Sequence, residues 1–264
     1  MKKTLLQGIT IIVMFFSLWF IFAQIEWTKV LDTQKSTDKM EEHLGELLWR
    51  FFQESEREIN NPFIVSSLDS LKEKVCFENK IIHPSIKIHI VENEAINAFA
   101  LPDGHIVIYW GIILNSMVQE ELSGIISHEI AHTQLNHVMK KLIKEIGFST
   151  LVSLTTSNNG SDVIKETAKI LSSSAFDRSM EKEADIKAVE YLVAARIAPK
   201  PYADFLYRIS LNDNEHLKYI NWMSTHPEYT ERSEYILDKI GRNKYINEPV
   251  LHAETWNKLQ AALL

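Results

Sequence analysis

Apolar and polar positions alternate with different periods along the chain, and the period predicts the elements. Residues 28 to 60 are charged and helix-prone, with Leu44, Leu47, Leu48, Phe51 and Phe52 recurring on one helical face. "NNPF" at Asn60 to Phe63 interrupts that pattern, and a second helix is expected from Ser66 to Cys76. From Ile81 the period shortens. Ile86, Ile88 and Ile90 point one way and Lys87 and His89 the other, as in a strand. "LPDGH" reads as a turn, and Ile106 to Trp110 as another strand. Ser116 and Gln119 have the spacing of a capping box, and one long helix is expected from about Met117 to Gly147. "TTSNNGSD", 155–162, is a loop. A further helix carries "AFDRSMEKEADIKAVEYLVAA" and stops near "APKP", 198–201. More helix follows, interrupted by "STHPEYTER", 224–232. The pattern predicts an α+β, mostly helical fold with a small β-sheet just before its central helix.

One stretch fits neither period. Leu5 to Ile25 carries no charge and follows Lys2 and Lys3. Its length is close to the ~20 residues a helix needs to cross hydrocarbon. A cleaved signal peptide is the rival reading, but Ile21 stands two positions before Ala23, which makes a poor cleavage pattern. No cysteine stands directly after the stretch, which excludes a lipoprotein anchor. The expectation is an uncleaved signal anchor and a single-pass topology, with the N-terminus cytoplasmic because the lysines lie on its short side. The chain then divides into an N-terminal membrane anchor at 1–27, a helical region at 28–76 that packs on the main domain, and the main domain at 77–264.

Composition narrows the partners. The formal charge is -7, and no basic stripe interleaved with aromatics occurs, so no nucleic acid is expected as partner. Cys76 is the only cysteine, which excludes an intrachain disulfide and a metal site built from thiolates. Any metal must therefore be held by His, Glu or Asp.

That condition gives weight to "GIISHEIAHTQLNH", Gly124 to His137. His128 and His132 stand four apart, so on a helix they share a face and can bind one tetrahedral ion. Glu129 is rotated from them, in position for a general base. Two histidines on an ordinary helix is the competing reading. His137, five residues past His132, falls off the shared face and is expected to be structural. A third ligand is still required. "EKEAD" offers Glu181 and Asp185 at i and i+4, one to bind the ion and one to orient a histidine. A solvated acidic face remains the alternative.

Three stretches together resemble the gluzincin metallopeptidase family forty-eight, which includes HtpX, the CAAX prenyl protease and BepA-like proteases. They are "NAFALPDGHIVIYWGIIL", "ELSGIISHEIAH" and "FDRSMEKEAD", with a weaker match at "STHPEYTER". The resemblance covers roughly residues 75 to 235, and the single apolar stretch suits its single-anchor or periplasmic members. Departures occur at Asp177, Ala188 and Asp103, where the family often has Ser, Gly and Gly. The resemblance implies a zincin-like metallopeptidase domain with Zn²⁺, one per chain, on His128, His132 and Glu181. It makes Asp185 the partner that orients a ligand and Glu129 the catalytic base. Arg178 precedes the third ligand as in the family. His226 is implied near the site, as a catalytic aid or as a metal contact in a closed form. Strand Ile106 to Tyr109 is implied as an edge strand to which substrate adds. The implied function is a zinc metalloendopeptidase of protein quality control at a bacterial envelope membrane, its catalytic domain on the periplasmic side, or at a mitochondrial membrane if the source is eukaryotic. A zinc-loaded, chaperone-like binding module with latent or no proteolysis is the alternative.

Overall fold

The structure, a computed structural model, describes residues 33–82, 85–156, 161–211 and 225–264, without the side chains of 33–37 and 156. The apolar stretch Leu5 to Ile25 lies outside these residues. Among the described residues no helix is long and apolar enough to cross a membrane. Glu41–Leu264 forms one compact unit.

Helix α1 spans Thr33–Ser55 and α2 spans Pro62–Glu78. The second helix begins earlier than the expected Ser66. Asn61 caps it, its side chain accepting from the Phe63 and Ile64 amides at 2.9 and 3.4 Å, and Pro62 takes the first turn. Pro62 thus opens a helix, because the first turn needs no proline N–H, while the helix before it has already ended at Ser55. Ile64, Leu68, Leu71 and Val75 of α2 enter the main core.

Three strands follow: β1 (Lys87–Val91), β2 (Ala98–Ala100) and β3 (His105–Tyr109). Their order is β1-β3-β2, with β1 parallel and β2 antiparallel to β3. The turn from β2 to β3, Pro102–Gly104, holds Asp103 at φ 57° and Gly104 at φ 69°. A Cβ on Gly104 would stand 1.8 Å from the Ser85 carbonyl oxygen, so only glycine fits there. This topology corrects the expectation for Ile106 to Tyr109. That strand is central, paired on both sides and buried along its whole length, so its main-chain groups are engaged and no substrate strand can add to it. Trp110, expected in the strand, opens the short helix α3 (Trp110–Asn115).

Helix α4 (Gln119–Gln134) is buried from Gln119 to His132, which suits a helix surrounded on all sides. The expected capping box is absent. Ser116 Oγ donates to the Ile112 carbonyl at 2.8 Å, and the Glu121 carboxylate accepts from the Met117 amide at 2.8 Å. Gln119 instead pins the C-terminal segment, exchanging two 2.7 Å bonds with the Leu251 backbone. Nor does one helix run to Gly147. Asn136 adopts the left-handed conformation, φ 56°, ψ 27°, and α5 (His137–Ile146) starts beyond it. Asparagine tolerates this region better than most residues.

After α5 come α6 (Phe148–Thr156), α7 (Ser161–Ser173), α8 (Arg178–Ala194), α9 (Lys200–Leu211), α10 (Tyr229–Ile240) and α11 (Ala253–Ala261). Helix α8 lies along α4, and α9 packs on both α4 and α10. Gly124 permits the close approach of α9: a Cβ there would stand 2.5 to 2.7 Å from Tyr202 side-chain atoms. Ile125, Ile126, Ala184, Ala188 and Leu192 all lie in the main core, and Ala188 and Leu192 share the face of α8 that carries Glu181 and Asp185.

Candidate metal centre

The polar faces of α4 and α8 meet where their i,i+4 pairs are. His128 and His132 come from α4 and Glu181 and Asp185 from α8; His226 arrives from the segment ahead of α10. Ligand atoms of His128, His132, Glu181 and His226 all lie within 4.8 Å of one another, and all four residues are buried. The structure therefore brings His128, His132, Glu181, Asp185 and His226 together. Glu129 joins them, its Oε1 3.4 Å from His226 Nε2. Glu181 and Glu183 part company. Glu181 is buried in the cluster, whereas the Glu183 side chain is 59% exposed and contacts His137 at 3.3 Å.

The hydrogen bonds around the two α4 imidazoles set their tautomers. Asp185 Oδ1 lies 2.9 Å from His128 Nδ1, so Nδ1 carries the proton and Nε2 presents a lone pair. A longer chain does the same for His132. Glu183 accepts from His137 Nε2, His137 Nδ1 accepts from His132 Nδ1 at 3.2 Å, and His132 Nε2 is left with its lone pair. His137 falls off the shared face of α4, but the break at Asn136 folds it back onto His132. The two Nε2 atoms then face each other at 3.0 Å, with Glu181 Oε1 3.4 Å from His132 Nε2. Two imidazole lone pairs and a carboxylate converging in a dry interior repel one another unless a cation lies among them. The donor set of nitrogen and oxygen, with no thiolate, fits a divalent metal such as zinc.

The surrounding charges favour this arrangement. Burial alone acts to raise the Glu181 carboxyl. The His226 and Arg232 charges outweigh it and hold Glu181 well below the usual carboxylate range. Burial pushes His132 well down, so it stays neutral. Asp185 is likewise held low: Arg232 and His128 overcome its burial. Arg232, itself buried, donates to Asp185 through Nε and Nη2, both at 2.8 Å, and reaches Glu181 Oε2 at 2.8 Å and the His226 carbonyl at 3.1 Å. Tyr202 donates to Asp185 at 2.6 Å, and Tyr235 donates to it as well. Arg178, noted from the sequence, stands outside this frame in an ion pair with Glu228.

The site is covered as well as assembled. The Phe176 ring packs tilted against His132, centroids 4.0 Å apart, and lies near-parallel to His226 at 5.9 Å. Its amide donates to the Thr225 carbonyl at 3.2 Å, joining the two covering segments. Lys141 sits over the Phe176 ring at 4.1 Å, and burial lowers its ammonium to about 8 against the pull of Glu181, Glu129 and Glu145.

Arg232, Tyr202, Tyr235 and Phe176 were not legible as site residues. Arg232 stands inside "STHPEYTER", so the stretch was visible while the role was not. Tyr202, in "KPYADF", carries no local signal at all.

A helix with His-Glu-x-x-His facing a glutamate on a second helix, beside a three-stranded sheet, defines a class of metal-dependent peptidase folds. The model of peptidase family M48 matches residues 66–240, and the chain belongs to that family. The mitochondrial metalloendopeptidase OMA1 of Homo sapiens is 30% identical over 166 residues, covering 56% of this chain and 31% of that protein. The metalloprotease LoiP of Escherichia coli is 24% identical over 168 residues, covering 61% and 66%. The beta-barrel assembly-enhancing protease of Yersinia pestis is 20% identical over 196 residues, covering 70% and 40%. This chain thus spans about a third of the length of the Homo sapiens relative and less than half that of the Yersinia pestis one. The fold is α+β, mostly helical, and zincin-like, as expected.

Proposed function

We infer that the chain is a zinc-dependent metalloendopeptidase held at a membrane by its N-terminal segment. One observation carries the reading: buried donors of His128, His132, Glu181 and His226 converge with the Glu129 carboxylate beside them. His128, His132 and Glu181 hold the ion. When bound, zinc supplies Lewis-acid chemistry, acidifying water and polarising a peptide carbonyl. Glu129 accepts a proton from the attacking water and returns it to the leaving amine. Asp185 and His137 fix the two imidazoles. His226 Nδ1, 2.9 Å from Glu181 Oε1 and 3.3 Å from His128 Nε2, makes a fourth donor in a closed form and must withdraw before substrate enters.

The substrates are proteins or peptides, and protein quality control in a bacterial envelope or mitochondrial membrane is the setting proposed. The proposed division is an anchor at 1–27, a helical region at 28–76 and the peptidase domain at 77–264. The anchor rests on the uncharged run Leu5 to Ile25. Extraction of cell membranes at high pH tests it: full-length chain released into the soluble fraction sinks the anchor.

Casein cleavage and zinc content, with wild type beside Glu129→Gln and His226→Ala, test the rest. Gln matches Glu in size but cannot take the proton, so Glu129→Gln should keep zinc and lose ~10²–10⁴-fold in turnover. Wild-type cleavage by Glu129→Gln refutes the mechanism. A rise in turnover for His226→Ala supports the closed form, and a fall assigns His226 to the reaction instead.

A further inference from the structure

The zinc peptidase reading, on which this inference rests, needs a peptide to reach the metal centre. In the structure the way is shut: His128, Glu129, His132 and His226 are fully buried, and the buried Phe176 ring packs against His132. One residue that keeps Phe176 there has no part in the chemistry. Lys141 is 3% exposed. Its partners are the Ser174 carbonyl, to which Nζ donates, and the face of the Phe176 ring, 4.1 Å away. Among the described residues no carboxylate forms an ion pair with it. Burying an ammonium in this way costs stability, and a leucine or methionine would fill the space without that cost.

The place of Lys141 on its helix explains what it does. His137, Lys141 and Lys144 stand at i, i+4 and i+7 on α5, so they share one face. In order, they meet His132 at 3.2 Å, the Ser174 carbonyl with the Phe176 ring, and Asp177 at 2.6 Å. The last pair is exposed and screened, so it adds little. The same segment is tied from other sides. Asn97 Nδ2 donates to the Ser172 carbonyl at 3.2 Å, and the Phe176 amide donates to the Thr225 carbonyl at 3.2 Å.

We propose that Lys141 is a positioning residue that latches an internal cover: its ammonium holds Ser174–Phe176 closed over the metal centre, and its release opens the centre to substrate. A carbonyl and a ring face attract an ammonium without neutralising it, so they hold the cover less firmly than a carboxylate would, which suits a contact that must open. The bond from the Phe176 amide to Thr225 joins the cover to the segment of His226, so the two withdraw together.

The test is hydrogen exchange of the full chain, read by mass spectrometry on peptides containing Phe176, in wild type, Lys141→Met and Lys141→Arg. Methionine keeps the length and packs on a ring but carries no charge. Arginine keeps the charge and can both donate to a carbonyl and stack on a ring. Losing a cation–π contact and a hydrogen bond from a charged donor should speed exchange at Phe176 by about 10-fold in Lys141→Met. Peptides from β3 should exchange as in wild type, and Lys141→Arg should behave as wild type throughout. Zinc release to a chelator and casein turnover should both rise in Lys141→Met, whereas loss of a merely structural contact would lower turnover. Unchanged exchange at Phe176 in Lys141→Met, equal acceleration in β3, a fall in turnover, or Lys141→Arg behaving like Lys141→Met overturns the proposal. If Lys141→Met does not fold, Phe176→Leu decides: faster zinc release supports the cover, and an unchanged rate refutes it. Failure of the peptidase reading shows separately, as Glu129→Gln cleaving casein at the wild-type rate while exchange at Phe176 still responds to Lys141→Met.

Discussion

Asp185→Asn tests the frame behind the metal ligands. Asp185 is fully buried and accepts from His128 Nδ1, Tyr202, Tyr235 and two nitrogens of Arg232. Asparagine keeps the size but removes the charge, and it turns an N–H₂ group toward donors. Whichever way the amide lies, one of its neighbours faces a donor in place of an acceptor. Breaking a buried ion pair costs about 3–5 kcal/mol, because the remaining charge is uncompensated. Arg232 retains Glu181 at 2.8 Å, which places the expectation at the lower end, about 3 kcal/mol. Urea unfolding is the assay, run with a chelator so that metal binding does not contribute. At an m-value of ~1–3 kcal/mol/M the midpoint should fall by about 1–3 M. A parallel competition titration should show zinc bound about 10–100-fold more weakly, since His128 loses the partner that fixes its tautomer. A loss below ~1 kcal/mol, no more than an ordinary substitution gives, with zinc affinity unchanged would refute the argument that Asp185 is the keystone of the site.

Gly124→Ala should destabilise by about 1–3 kcal/mol through overpacking against Tyr202, and weaken zinc binding because Tyr202 donates to Asp185; unchanged thermal stability would contradict the close approach. Glu181→Ala should lose zinc by metal analysis while the exposed Glu183→Ala keeps it, and the reverse outcome would exchange their roles. A pH effect is expected far from the metal, at His89 and His105. Burial, then the Lys87 charge, lowers each from 6.5 to about 4, with the His89 charge adding to His105 and Glu46 and Asp103 opposing there. The rings share a 2.9 Å bond, His89 contacts Glu58 at 3.4 Å, and Trp49 stacks on His89. The unfolded chain then binds more protons between pH 4 and 6.5, so stability is fully present above about 6.5 and declines as pH falls toward about 4. A shift of this size on one ring is about 3 kcal/mol, and solvent screening of the shared pair holds the total near that figure. Unfolding midpoints at pH 7.5 and 4.5 measure it, and His89→Phe, which keeps a ring against Trp49, should flatten the decline; equal declines in both proteins would rule it out.

Much of the site was legible because ligand geometry on a helix is local. A spacing of i, i+4, from His128 to His132 or from Glu181 to Asp185, fixes a shared face whatever the helix packs against. The absence of thiolates followed from one cysteine, and the sheet before the central helix followed from alternation at Ile86 to Ile90. His226 was a weaker case: only the resemblance brought it near, since no periodicity connects it with α4.

What the sequence could not determine were relations between segments distant along the chain. Strand order is one: the alternation in Ile106 to Tyr109 is the same for a central strand as for an edge, and only pairing with both β1 and β2 made it central. The break at Asn136 is another, since asparagine is tolerated within a helix, and the fold-back was decided by where His137 meets His132 and Glu183. Arg232 and Tyr202 are the clearest examples. Nothing beside them in the chain marks an arginine or a tyrosine that will be buried. Their places were decided when α9 and α10 closed over two carboxylates that an unpaired interior would not accept. The sequence by itself determined which polar groups would share a helix face; the tertiary structure decided which charges would hold them there, because compensating a buried charge is a property of the packed interior and of no single segment.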